Sequence, residues 1–424
     1  MLSRLFLVLV LLTACPAASF AAGNEAVAAE IVKLFDSRAA ETGSQSADKA
    51  IGEVRAYYAT RAFKPVWVRD DGPKSKAKAL FAELRSSAVH GLSPQSYHVD
   101  QIAALMDSQD PGDLAQLDML LSGAVVEFGR DLRNGRIGPG KASAENAVTP
   151  VELDIAAYIE GAADAGNFRQ YASGFINADT RYVRLIAKLS EFQRMGAAHM
   201  WPQIAPSPAP VEKDAGDARI PLIRKMLVLT GDLPANLIGA GDVLDDEFAA
   251  ALVKFQARHA LAATGVLDAD TLGEMAIPAE QRSRQIQLNL ERRRWQNRPL
   301  QADHLYINMA EPVARLVRGD SDSTFLGIEN LNELRDVPTF FGSVETARAE
   351  AGKTVVEIRP DPQTTTGMPD KPVRIVLDAE ATLKPGLQVF VTYITTWVSS
   401  DGQLHFGRDA FARDAALATL MKLD

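Results

Sequence analysis

The spacing of apolar side chains changes character once along this 424-residue chain, and that change limits the folds open to it. Up to about residue 295 they recur at helical intervals; beyond Pro299 they gather into β-branched and aromatic runs. A stripe with a helix period cannot present one face as a strand, so the two stretches need different cores. The fold class expected is α+β and multidomain: a helical scaffold domain, a three-helix module and a small, mostly β C-terminal domain.

Ala77, Leu80, Phe81, Leu84 and Ala88 lie at helical spacing, and His90-Gly91-Leu92-Ser93-Pro94 should end that helix with a glycine and a proline. Leu117, Leu120, Leu121, Ala124, Val125, Phe128 and Leu132 form a longer stripe, closed by Asn134-Gly135 and Pro139. A third runs through Tyr182, Leu185, Ile186, Leu189 and Phe192. Three stripes that bury one another predict a helical domain over 50–205, after a loose or helical lead-in at 22–49.

Residues 206–218 are rich in Pro, Ala and charge without periodicity and suggest a linker. The next module, 219–299 with its exit helix, has Ile220, Ile223 and Leu227 on one helix and Phe248, Leu252 and Phe255 on another. Asp245-Asp246-Glu247 suits a helix start, and Asp268 is placed to cap a short helix containing Thr271, Leu272 and Met275. In the β domain, 300–424, strands are expected at 304–308, 354–358, 373–377 and, as one central strand, 387–398. Asp401-Gly402 should turn a hairpin into 404–406, while 319–352 and 359–371 carry turn residues and suggest loops.

Cys15 is the only cysteine, and it lies in an apolar N-terminal stretch. Arg4, the run 5–12 and the small residues after it have the pattern of an export signal over 1–21, too short to span a bilayer. Two processing outcomes are open: cleavage after Ser19-Phe20-Ala21, or cleavage before Cys15, whose Leu12-Thr13-Ala14-Cys15 is like a lipoprotein box. The mature chain is therefore expected to be soluble or lipid-anchored, with a membrane reached only through a lipid on Cys15.

Absence of any later cysteine removes thiol nucleophiles, internal disulfides and cysteine-ligated zinc. No metal-ligand spacing, phosphate loop or other cofactor signature occurs, so no cofactor is expected. A net charge of −9 disfavours nucleic acid, and the arginines at 282, 284, 292, 293, 294 and 298 suggest a solvated helix face. His304 and His405 suggest edge or surface histidines, Ser321 and Ser323 a polar loop, and Glu127 with Asp131 a solvated flank of the long stripe rather than a general acid.

At 244–275 the pattern LDDEFAAALVKFQARHAL with TGVLDADTLGEM resembles a three-helix peptidoglycan-binding module. Arg282 with NLERRRW at 289–295 resembles the helix leaving that module in large periplasmic L,D-transpeptidases. Lys64-Pro65-Val66-Trp67, the HGLSP turn with Tyr97, Gly135-Arg136-Ile137-Gly138-Pro139 and Met200-Trp201-Pro202 are similar to the scaffold domain of that family. Residues 393–398, Asp401-Gly402, Arg408-Asp409 and Asp414 are similar to the end of its catalytic domain.

Those enzymes use a cysteine nucleophile and a histidine base, and between Leu305 and Leu404 this chain has neither residue type. The resemblance therefore implies a non-catalytic periplasmic wall protein, with no catalytic residues, that binds peptidoglycan or a wall-synthesis enzyme. Gln256, Arg258, Asp268 and Thr271 are its candidate substrate-binding positions, with capping or surface solvation as the structural alternative for each. An active L,D-transpeptidase or another peptidoglycan-remodelling enzyme with a different nucleophile is the alternative function.

Overall fold

A computed structural model describes residues 19–41, 45–137, 145–176, 180–207, 209–311, 313–319, 322–407 and 410–421. Cys15, Gly138, Pro139, Ser321, Arg408 and Asp409 lie outside them. The protein is α+β and divides into two compact units. The first comprises the described residues up to Arg85, with Pro94–Phe128 and Asp154–Tyr171; the second comprises Ser86–Ser93, Gly129–Leu153 and everything from Ala172 onward.

In the first unit, α1 (Ser19–Glu41), α2 (Gln45–Thr60), a short hairpin of β1 (Val68–Arg69) and β2 (Gly72–Pro73), α3 (Ser75–Arg85) and α4 (Val99–Leu105) precede the long α5 (Pro111–Asn134). Helices α6 (Ile155–Asp164) and α7 (Phe168–Ser173) follow. Ala77, Leu80 and Leu84 of α3 are buried as their spacing predicts. Helix α5 is buried on most of its circumference through Phe128, with Leu114, Leu117, Asp118, Leu121, Ser122 and Val125 at 0 % exposure. That makes it the central helix of the unit rather than a helix with one apolar stripe.

The carboxylate of Asp118 on α5 holds this core together. It accepts from Val66 N at 3.0 Å, Trp67 N at 2.6 Å, Val68 N at 3.0 Å and from the Tyr58 hydroxyl. Ser122, one turn on, accepts from Trp67 Nε1 at 2.9 Å. A buried strand start, residues 66–68, would otherwise leave three N–H groups unpaired, so Asp118 replaces a neighbouring strand.

The second unit contains α8 (Thr180–Ala197), α9 (Ile220–Leu229), α10 (Asp246–Arg258), α11 (Ala269–Met275) and α12 (Ala279–Arg294). Ile220, Ile223, Leu227, Phe248, Leu252 and Phe255 meet in one core, as predicted. Asp245 and Asp268 cap their helices, accepting from Phe248 N and Thr271 N, each at 2.8 Å. The stretch read as a linker is stitched to this module: Val211 and Leu267 exchange both backbone hydrogen bonds at 3.1 Å.

Two expectations about the helices are corrected. The third stripe does not need the other two for burial: Tyr182, Leu185, Leu189 and Phe192 pack with Ile286 and Leu290 of α12. Nor are the arginines of α12 a solvated face. Twelve of its sixteen residues are buried, including Arg282, Arg292, Arg293 and Arg294, so the helix is internal despite its polarity; Arg284 is exposed. Three of these charges are answered by carboxylates: Arg282 by Glu274 at 2.7 Å, Arg294 by Glu291 at 3.1 Å, and Arg292 by Glu145 at 2.9 Å and by Asp414. The two acids around Arg292 are distant in sequence, which is why the pattern along the helix does not show them.

The C-terminal half forms a mixed seven-stranded sheet: β3 (His304–Asn308), β4 (Val313–Arg318), β5 (Asp322–Gly327), β6 (Phe340–Glu350), β7 (Lys353–Pro360), β8 (Val373–Leu377) and β9 (Gln388–Thr392), in the order β5-β4-β3-β9-β6-β7-β8. Only β3 and β9 run parallel. The sheet curls until its edges meet. Ile328 bridges Leu377, Glu329 N donates to Val376 O, and the Asn330 amide accepts from Val376 N and donates to Arg374 O. This closure surrounds a core containing Leu305, Ile307, Leu316, Phe340, Val356, Ile375 and Val391, and it pairs edges that would otherwise stand open.

Residues 319–352, expected to be loop, contain β5 and the longest strand, β6; Ser323 is therefore a strand residue, accepting from Arg315 Nε at 3.0 Å. The outer half of β6 is a ribbon paired only with β7 and turned at Ala351-Gly352, both left-handed. Its side chains face solvent, so no apolar alternation marks it. The run expected as one central strand at 387–398 is broken. Asn308 donates to Ile394 O at 3.0 Å and accepts from Ile394 N at 2.7 Å, leading the chain out of the sheet after β9. The chain then forms β10 (Thr396–Val398), paired with β11 (Leu404–Phe406) across the expected Asp401-Gly402 turn; α13 (Ala410–Met421) follows.

Candidate functional site

The four positions proposed from sequence are mostly internal. Gln256 has 0 % exposure; its amide donates to Val266 O at 2.8 Å and Thr271 Oγ1 at 2.9 Å and accepts from Gly265 N at 2.8 Å. It pins the α10–α11 turn from inside. Thr271 is buried as the acceptor in that network, and Asp268 is the cap of α11. Capping and core satisfaction account for these three.

Arg258 differs because its fork joins separate segments of the second unit. Its Nε donates to Asp232 Oδ1 at 2.7 Å, Nη2 pairs with Asp232 Oδ2, and Nη1 donates to Leu404 O at 2.9 Å. Next to it His259 is stacked between Phe255, with centroids 3.8 Å apart, and Phe406 at 4.8 Å. Burial, then the charges of Arg258 and Arg282, hold His259 well below the usual histidine range, so it packs as a neutral aromatic ring.

These contacts form one wall of a cleft of about 450 Å³. Arg258 borders it from the end of α10 and Leu261 from the turn after it, Glu311 from the turn after β3, Arg335 from the turn before β6, and Trp397 and His405 from the β10–β11 hairpin. The hairpin register sets Trp397 directly opposite His405, and the rings stack 5.5 Å apart at 14°. His405 Nε2 lies 3.0 Å from Ser399 Oγ, and burial lowers the basicity of its ring. Burial also pushes the Glu311 carboxyl above the usual carboxylate range, against the 3.4 Å hydrogen bond from Asn308 and the pull of Arg293 and Arg181.

No thiol, serine or threonine is among the described residues lining the cleft, so none of them supplies the nucleophile of a cysteine or serine acyl transfer. Its lining combines an aromatic plate, a half-buried carboxyl and a guanidinium at the rim. His304, by contrast, stays at the start of β3, with Nδ1 2.7 Å from Gln301 O. Glu127 is exposed on α5, and Asp131 is half-buried.

Along the sequence His405 has the pattern of an ordinary edge residue, Trp397 enters only within the 393–398 resemblance, and Glu311 and Arg335 carry no mark. The tight Asp401-Gly402 turn does carry a usable signal, since extending its pairing outward matches 397 with 405. Glu311 and Arg335 have none, because the end of β3 and the start of β6 become neighbours only through their pairing on either side of β9. No helix among the described residues is long and apolar enough to cross a membrane.

No curated protein matches the chain. Residues 52–189 match a family model described as Scaffold domain, so a helical scaffold domain is present over that stretch.

Proposed function

We propose that this chain is an exported cell-wall protein that binds peptidoglycan and retains an L,D-transpeptidase-like architecture without the thiol chemistry. The observation that carries it is the cleft: Trp397 stacked on His405, with Glu311 and Arg335 at its margins, and no cysteine anywhere after Cys15 in the sequence. The scaffold-domain match and the NLERRRW helix support the same reading. Aromatic faces bind sugar rings and peptide planes, while the charged margins suit a polymer with carboxylate and amine ends. In this reading the three-helix module orients the cleft through Arg258 and His259 rather than holding the ligand on Gln256 or Thr271.

Co-sedimentation of the purified mature protein with isolated sacculi, followed by muropeptide analysis, tests it. Retention on the wall with an unchanged muropeptide profile is expected, and Trp397→Ala should weaken retention about tenfold, as loss of one aromatic anchor does. Failure of the unaltered protein to sediment would sink the proposal. Altered cross-links would establish catalysis instead.

A further inference from the structure

The first unit contains a concavity of its own, an open groove of about 830 Å³ bordered by α1 and by residues 61–74. Four cations line it, Arg61, Lys64, Arg69 and Lys74, against two carboxylates, Glu25 and Asp70. The protein as a whole is acidic, at −9, so this is a local reversal of sign.

Two of the cations are oriented by neutral oxygens. Arg61 donates through Nε to Lys64 O at 2.9 Å, through Nη1 to the Tyr57 hydroxyl at 2.6 Å and through Nη2 to Pro65 O at 3.5 Å. Lys74 Nζ donates to Val66 O at 2.6 Å. Such bonds fix a cation without cancelling its charge, and guanidinium and ammonium groups keep further N–H donors for another acceptor. Among the described residues, none of the four forms an ion pair with a carboxylate. Burial lowers the basicity of Lys74, Asp118 behind it raises it, and Arg61 and Arg69 press it down again. Like charges therefore crowd one another at this groove, a repulsion that a bound anion would relieve.

The backbone beneath is specially shaped. Ala62 and Phe63, at φ 53° and 56°, are consecutive left-handed residues without a glycine, and they separate Arg61 from Lys64. The next segment is clamped by three N–H bonds to Asp118, so surrounding contacts enforce the bend. Exposed Lys64 and Arg69 stand above this rigid base, and half-buried Arg61 and Lys74 form its floor.

We infer that this groove is a binding site for a multivalent oxyanion, a group bearing several phosphates or carboxylates. Arg61 and Lys74 are its ordered donors, and Lys64 and Arg69 its outer charges. Titration calorimetry on the whole protein with tripolyphosphate and, separately, citrate tests this. Saturable single-site binding to at least one is expected, weakening as salt rises because exposed charges take part. The stronger of the two identifies phosphate or carboxylate as the natural group. The double variant Lys64→Glu, Arg69→Glu should bind about tenfold or more weakly at an unchanged thermal midpoint. If charge reversal lowers the midpoint, Lys64→Met with Arg69→Met makes the same comparison. No heat from either anion, or equal affinity in a folded variant, overturns the assignment.

Discussion

Both units bury charge at their centres, but they satisfy it differently. In the first, Asp118 is surrounded by neutral donors, three backbone N–H groups and a tyrosine hydroxyl, and burial outweighs them, leaving its pKa raised. In the second, Arg292 at 1 % exposure lies between the opposite charges of Glu145 and Asp414, with Thr395 Oγ1 accepting at 3.1 Å. Neutral donors organise a backbone segment at the cost of a strained titration. Opposite charges join sequence-distant segments, at the cost of depending on every member.

The sharpest way to break this contrast is Arg292→Met. It leaves two buried carboxylates without their cation and should destabilise the protein by about 3–5 kcal/mol, read as a lowered urea midpoint. A loss under 1 kcal/mol would mean the acids are solvated and the ion-pair account is wrong. Asp118→Asn should cost less, about 1–3 kcal/mol, because one oxygen is replaced by an N–H group facing the donors of Trp67 and Val68. Measured in the same way, an Asp118→Asn loss exceeding that of Arg292→Met would reverse the ranking.

Within the second unit, Gln256→Ala should cost about 1–3 kcal/mol, since Gly265 N loses its acceptor and Val266 O and Thr271 Oγ1 their donor. Its sacculus binding, measured below the unfolding transition, should stay near that of the unaltered protein; a selective loss of binding would restore Gln256 as a ligand residue. Acid should also weaken this unit. The folded pKa of His259 lies below the unfolded value near 6.5, so the unfolded chain gains a proton that the fold refuses as pH falls through that value. His405 and His304 are lowered too and act in the same direction. Thermal midpoints should therefore fall from about pH 7 to pH 5, and His259→Phe should flatten that slope, Glu274 at 3.9 Å being already engaged by Arg282. The smallest effect, about 1 kcal/mol, is expected for Asp268→Ala, which removes a cap and no core contact.

Legibility tracked how local the deciding interactions are. Phe248, Leu252 and Phe255, the caps at Asp245 and Asp268, and the hairpin at Asp401-Gly402 depend on neighbours within a few residues, and the structure places them as expected. Helix α12 was misread because a run of arginines has the same local pattern whether water or distant carboxylates answer it. The break at Tyr393-Ile394 escaped notice for a related reason: Asn308, which captures that backbone, is 86 residues away.

The sequence by itself determined the helical periods, the start of β texture beyond Pro299 and which aspartates start helices, though not the strands within 319–352. It also determined that no cysteine follows Cys15. Tertiary structure alone decided which polar residues lie inside, how the sheet edges close through Asn330, and that Glu311, Arg335, Trp397 and His405 border one cleft. Periodicity is a property of a helix or strand and can be read along the chain. Desolvation and charge pairing belong to positions in space, and they are set only when residues far apart in sequence are packed together.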